Sequence, residues 1–274
     1  MSASKNFNAL VSVIMSVYND EDYLSLSINS ILHQEYSNFE FLIIDDASTD
    51  NSLKIIEDFA LSDSRVRVFK NKENRGLTKN LNFLIKNSKG GYVARMDADD
   101  ISFNLRLKKQ IKFLNANPNI DILGTKAIDV DENGEHLRLR SVPLHHNKII
   151  HSLPFVNTMI HPSVVFRMES IKKVGGYNEK YKTSQDYFYW FYCQSKNLTF
   201  ANLDEALIFY RMDNNYGKRK SLKYRINDMK LKFEGFKITN QAFYKYFLIL
   251  LPIFVWLTPI SLFSTLKRLD PREK

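Results

Sequence analysis

Val11-Ser-Val-Ile-Met-Ser-Val17, running into Tyr18-Asn19-Asp20, reads as a short buried strand that ends abruptly in polar residues. The pattern recurs three times. Residues 39–44 lead into Asp45-Asp46, residues 65–69 lead toward Asn74-Arg75-Gly76, and residues 92–96 lead into Asp97-Ala98-Asp99-Asp100. Helical periodicity over 23–32, 52–60 and 78–87 separates these runs. Asn19 or Asp20 can cap the first helix, Ser48, Thr49 and Asp50 the second, and Gly90 or Gly91 can close the third. Strands alternating with helices predict an α/β fold around a mostly parallel, Rossmann-like sheet. Ligands of such sheets bind beyond the carboxyl ends of the strands. The polar residues after each run are therefore where chemistry is expected.

The second half changes character. Residues 121–131 and 136–142 flank Glu132-Asn133-Gly134, a hairpin signal. Residues 164–167 read as another strand, 185–194 as a short aromatic helix, and 198–210 as one or two strands. This predicts a smaller mixed part added to the parallel sheet. The expected organisation is one unit over 1–216, with a parallel half at about 8–120 and a mixed half at 121–216, followed by a distinct segment over 217–274.

Composition narrows the function. The chain has 274 residues, long enough for a full core, and 44% of them are hydrophobic, which argues against disorder. Its lone cysteine, Cys193, excludes an internal disulfide and a CxxC zinc site and fits a reducing compartment. Residues 1–8 are polar and lack the apolar core of a signal peptide, so the catalytic body is expected in the cytoplasm. No G-x-G-x-x-G follows the first strand, which speaks against a dehydrogenase.

The net charge is +9, and all of it lies in 217–274, where thirteen Lys/Arg face four Asp/Glu. Leu222, Ile226, Met229, Phe233 and Phe236 recur at helical spacing between lysines and arginines. That reads as a basic amphipathic helix for an anionic membrane surface, or as a helix packed on the catalytic unit with its basic face in water. The uncharged stretch 246–263 follows, interrupted by Pro252 and Pro259 and flanked by Lys245, Lys267 and Arg268. Its length is about the minimum for crossing a bilayer. A proline-broken monotopic insertion is preferred over a clean span or a buried core helix. Nucleic acid is not expected as a partner, since an uncharged stretch serves no purpose there.

Two carboxylate groups carry the chemical argument. Asp97, Asp99 and Asp100 stand within four residues, and their mutual repulsion invites a hard divalent cation, which also bridges diphosphates. Alternatively they cap a helix starting near Phe103. Asp46 follows the second strand, where a carboxylate can accept hydrogen bonds from a base or ribose.

Taken together, Val13 to Asn19, Leu42 to Asp50, Asn74-Arg75-Gly76 and Ala94 to Asp100 resemble glycosyltransferase family 2 in order and spacing. His161-Pro-Ser-Val-Val-Phe-Arg167 and Gln185-Asp186-Tyr-Phe-Tyr-Trp190 resemble it too, so the likeness covers roughly 11–211. The resemblance implies a GT-A fold and an inverting displacement on a nucleotide-diphosphate sugar with Mn²⁺ or Mg²⁺. It assigns Asp46 to the nucleobase or ribose, Asp97-Ala98-Asp99 to ribose and metal with Asp99 the direct ligand, and Asp186 to the general base. Tyr18, Asn19, Asn74, Arg75, Gly76 and Arg95 join the nucleotide-sugar side.

On the acceptor side stand His161, Gln185, Tyr187, Trp190 and Arg211, with Tyr187 and Trp190 candidates for a sugar-stacking wall. Each arginine could instead pair with the carboxylates, Asp186 could cap its helix, and His161 could be a packed loop residue. Ser16 stands where relatives often carry proline, Gln185 where many carry glutamate, and Asp213 near a frequent histidine.

The expected activity is sugar transfer to a glycan or lipid-linked saccharide in surface polysaccharide synthesis, on the cytoplasmic face of the inner membrane, attached peripherally or monotopically through about 217–268. A nucleotidyltransferase is the first alternative, although the glycine-rich basic loop it would need is missing. A non-catalytic saccharide- or lipid-binding relative is the second.

Overall fold

β1 (Val11–Val17) and β2 (Phe39–Asp45) are buried along their whole length except at Ser16. Their side chains alternate between two cores. Val11, Val13, Met15 and Val17 join Phe39, Phe41 and Ile43 on one face, and Ile14 joins Leu42 and Ile44 on the other. A sheet buried on both faces explains why these strands are continuous apolar runs. The computed structural model describes residues 8–212 and 222–250.

Helices cover both faces. α1 (Glu21–Leu32), α2 (Ser52–Ser62) and α4 (Arg106–Ala116) pack on the first face through Leu24, Ile28, Ile56, Leu107 and Ile111. α3 (Leu77–Asn87), α5 (His146–Ser152), α6 (Met168–Val174), α7 (Gln185–Ser195) and α8 (Leu222–Ile238) pack on the second. The first turns of α1 and α2 cap each other. Asp50 accepts N–H bonds from Glu21 and Ser52, and Glu21 accepts one from Asn51.

The remaining strands are β3 (Val66–Lys70), β4 (Tyr92–Arg95), β5 (Ile101–Ser102), β6 (Ile122–Val130), β7 (His136–Arg140), β8 (Val165–Arg167) and β9 (Phe200–Arg211). The sheet order is β3-β2-β1-β4-β8-β6-β9-β5, with β7 on β6. Pairing is parallel from β3 to β4 and again between β6 and β9, while β8, β7 and β5 pair antiparallel. The expected mixed half is thus part of one continuous sheet. The β6–β7 hairpin turns at Gly134 with φ +84°, a conformation glycine adopts without strain.

Two expectations need correction. α4 begins at Arg106 rather than near Phe103, because Ile101 and Ser102 first pair with Phe209 and Ile208. The predicted apolar stripe of α8 is also split. Phe236 is buried with Leu231, but Ile226 and Phe233 are exposed. Gly235 explains the rotation, since a Cβ there would meet the Phe191 ring of α7 at 2.6 Å. Only glycine lets the two helices approach so closely. No helix among the described residues is long and apolar enough to cross a membrane. Asp213 and most of the 246–263 stretch lie outside the described residues.

Candidate active site

β4 ends at Arg95, and the loop after it carries the acidic cluster. Ala98 turns into the core, which leaves Asp97 and Asp99 partly exposed on the other side. Asp97, Asp99 and Asp100 each offer an oxygen within 4.8 Å of the others. They cap no helix, since α4 starts six residues beyond Asp100, at Arg106. Asp100 is buried; one oxygen accepts the Arg211 N–H at 2.8 Å, and the other has no partner.

The cluster sits on buried positive charge. The Arg95 guanidinium pairs with both oxygens of Asp97. Beneath it, Arg106 is fully buried and donates to the Arg95 carbonyl at 2.7 Å. Burial and repulsion from Arg95 pull Arg106 down to about 9, which keeps it charged at neutral pH.

Burial, then repulsion by Asp97 and Asp20, pushes the Asp99 carboxyl up to about 7. Asp20 is pushed up to about 6 by burial and by Asp97 and Asp50, against the N–H of Tyr18. A hard divalent cation fits this donor set. The ligands are oxygens, one buried oxygen is orphaned, and an added positive charge would let Asp99 ionise at neutral pH.

Asp186 lies at the start of α7, partly buried. Asn157 donates to its Oδ2 at 2.6 Å, and Trp190 Nε1 donates to Asn157 Oδ1 at 2.9 Å. Burial raises the Asp186 carboxyl above its usual range, against the Asn157 amide, the Tyr187 N–H and the charge of Arg95. Arg95 also acts electrostatically on Asp100, so the charge of one buried guanidinium is felt by both the acidic cluster and Asp186.

The acceptor-side expectations fare unevenly. Trp190 is fully buried against Phe166 and Phe200, and Tyr187 is buried with its hydroxyl on the Leu153 carbonyl at 2.6 Å. Neither offers a face to a sugar, because α7 turns its aromatic side into the core. His161 is buried, its Nε2 2.8 Å from the Tyr177 hydroxyl, and burial holds it well below the usual histidine range. Gln185 is buried as well. Arg211 covers the Tyr23 ring and donates to the carbonyls of Asp99, Asp131 and Glu132. It shapes the acidic loop through the backbone.

Among the residues expected at the nucleotide, Asp46 acts as a loop clamp. It accepts the N–H groups of Arg75 and Gly76 at 2.8 Å and the Asn71 amide at 2.7 Å. Burial opposes its charge, but these donors outweigh it and hold the carboxyl below its usual range. Gly76 has φ +85° at the start of α3, where a side chain would strain the turn. Asn19, at φ +54°, ties the loops after β1 and β2 by accepting from the Thr49 N–H at 2.8 Å and donating its own N–H to Ser48. Ser16 accepts a hydrogen bond from Asn80 of α3 at 2.9 Å, a contact proline could not make.

Tyr18, Asn74 and Arg75 are exposed. Beside the clamp opens a cleft of about 880 Å³, lined by Asn74, Arg75 and Gly76 together with Lys70, Lys72, Lys79 and Lys182. The acidic cluster does not line it.

Three residues escaped the sequence reading. Asp20 stood out only as a cap, and its carboxylate in fact adds to the acidic cluster. Arg106 looked like an ordinary helix residue. Asn157 carried no signal, because its partner lies 29 positions away.

A family model described as glycosyl transferase family 2 matches residues 12–175. The O-antigen biosynthesis glycosyltransferase WbnJ of Escherichia coli is 35% identical over 218 residues, 78% of this chain and 84% of that protein. The fragment 1–349 of Staphylococcus aureus TarS, crystallised with UDP-GlcNAc, superposes with a TM-score of 0.68 at 21% identity, covering 92% of this chain and 77% of that one. The mannosyltransferase PcManGT of Pyrobaculum calidifontis, in complex with GDP-Man and Mn²⁺, gives 0.64 at 15% identity, covering 97% and 81%. The two structural likenesses establish the GT-A-like fold.

Proposed function

The chain belongs to glycosyltransferase family 2, and from that premise we propose an inverting, metal-dependent transfer. The donor is a nucleotide-diphosphate sugar, read as a UDP-sugar. The acceptor is a hydroxyl of a glycan or lipid-linked saccharide in surface polysaccharide synthesis. The observation that carries the reading is the Asp97/Asp99/Asp100 cluster, anchored by Arg95, whose charge also acts on Asp186. The O-antigen role in the name of WbnJ supports the acceptor class, and the UDP-GlcNAc bound by TarS supports the donor. The Mn²⁺ in the PcManGT complex supports the cation.

In this reading Asp99 and Asp100 would hold a divalent cation, which would offset the charge of the diphosphate. Asp186 takes the proton of the acceptor hydroxyl. The hydroxyl oxygen bonds to the anomeric carbon as the carbon–oxygen bond to the diphosphate breaks, its electron pair leaving with the nucleotide. Attack from the opposite face inverts the centre. The raised carboxyl of Asp186 suits a base, since a stronger base draws the proton more readily.

The acceptor reading includes a membrane surface. Phe233, Phe243, Tyr244 and Phe247 are exposed on α8 and the following 3-10 segment (Phe243–Leu250), with Lys230 and Lys237 also exposed on α8. Aromatic and basic side chains together suit an anionic lipid interface.

The test is sugar transfer from a panel of UDP-, GDP- and dTDP-sugars with Mn²⁺, Mg²⁺ or chelator. Asp186→Asn and Asp99→Asn are each expected to lower turnover by about 10²–10⁴-fold, and chelation is expected to abolish it. Intact turnover in either variant overturns the mechanism. Co-sedimentation with anionic but not neutral vesicles, lost in a Phe243→Ser/Phe247→Ser double variant, checks the membrane arm. Equal sedimentation of the variant and the parent chain removes it.

A further inference from the structure

Asn157 joins two groups that cannot exchange roles. The Trp190 indole N–H can only donate, so the Asn157 amide must turn its oxygen toward it. The Met159 N–H approaches the same oxygen at 3.3 Å. That fixes the amide NH₂ toward Asp186, where it meets Oδ2 at 2.6 Å. The indole is itself enclosed. It is fully buried, with Phe166 and His161 at ring distances of 6.0 Å and Phe200 at 6.3 Å.

We propose that Asn157, its amide locked by Trp190, is the positioning residue for Asp186. The inference rests on the reading of Asp186 as base. The latch holds Oδ2, the Tyr187 N–H adds a donor at the start of the helix, and the carboxylate keeps acceptor capacity for the proton of the acceptor hydroxyl. A neutral amide holds the carboxylate without lowering its basicity as far as an ammonium or guanidinium at the same distance would. The charged and titratable groups that act on Asp186 from other elements are Arg95 at the end of β4 and Tyr177 in the loop after α6. Neither replaces the amide, because Arg95 is spent on Asp97 and the Tyr177 hydroxyl on His161.

The experiment compares Asn157→Ala, Asn157→Asp, Trp190→Phe and Asp186→Asn, reading kcat, the donor KM and the pH profile of kcat/KM for acceptor. Asn157→Ala is expected to lower kcat by about 10²-fold, the scale of a misplaced reacting group, with donor KM unchanged. Its acidic limb should move to higher pH, because a hydrogen bond to the ionised base is gone. Asn157→Asp, nearly isosteric, should move that limb further, by at least about one pH unit, since two carboxylates then share one proton. Trp190→Phe should lower kcat less and leave the limb between parent and Asn157→Ala.

A merely structural role predicts the opposite order, with Asn157→Asp the milder change and no shift of the limb. If Asn157→Ala does not fold, the isosteric variant still decides. Parent kcat and an unmoved limb in the Asn157 variants, with Asp186→Asn inactive, overturn the latch alone. Full activity in Asp186→Asn overturns the base reading and the latch with it.

Discussion

At the scale of single residues, the acidic loop stores a repulsion that a cation would release. Asp20 and Asp99 are held above their usual value of 3.8, at about 6 and about 7. A raised carboxyl binds its proton more tightly when folded, so its ionisation between 3.8 and those values costs stability as pH rises. Buried His161 and half-buried His146 run the other way. Both are held below 6.5, and stability is gained as pH rises toward that value. Melting temperature alone mixes the two trends, so the informative quantity is the increment produced by Mn²⁺. That increment should be larger near pH 7.5 than near pH 5, where protons compete for the same oxygens. Asp99→Asn should shrink it. An increment equal at both pH values, or untouched by Asp99→Asn, places the cation elsewhere. The acidic cluster was legible in the sequence because its spacing is local. Asn157 and Arg106 were not, because their meaning comes from contacts made only once the chain has folded.

At the scale of elements, legibility follows burial. β1, β2 and β4 are covered on both faces, so their apolar runs betrayed them. The helices between them show the period of one buried face. The two glycines read as closing α3 prove to have different roles. α3 ends at Asn87, and Gly90 packs against β1, where a Cβ would meet backbone atoms of Ser12, Leu10 and Tyr92 at 2.6–2.8 Å. Its N–H also donates to Ser12 Oγ at 2.8 Å. Gly91 has nothing within 4 Å of the same position. Gly90→Ala is therefore expected to destabilise by about 1–3 kcal/mol, and Gly91→Ala by less than about 0.5 kcal/mol, read from urea midpoints at unchanged slope. Equal effects would mean that the backbone around Gly90 yields to the added methyl group. The face of α8 was misread because periodicity locates an apolar stripe but cannot weigh a close approach. Gly235 against Phe191 set the rotation, and the stripe followed.

At the scale of the molecule, α8 links the surface proposed for lipid to the proposed base. Its outer side carries exposed Phe233 and leads to Phe243, Tyr244 and Phe247. Its inner side holds the chain around Asp186. Asn227 donates to Thr183 Oγ1 at 3.0 Å, Asp228 bonds the Ser184 side chain, and Lys232 reaches the Phe155 carbonyl at 3.3 Å. Ser184 sits at φ +54°, a strained conformation for serine, immediately before the helix that bears Asp186. Phe155 lies two residues before Asn157. Moving α8 should therefore disturb the base and its amide while leaving the Asp46 clamp and the acidic loop in place. Gly235→Leu forces that movement, since the new side chain cannot fit against Phe191. The expected outcome is a fall in kcat of at least about tenfold, from misplacement of the reacting group, with donor KM and the Mn²⁺-induced rise in melting temperature close to parent. Loss of donor binding in parallel with kcat would show instead that α8 supports the whole sheet. An unchanged kcat would show that the helix and the base are not coupled.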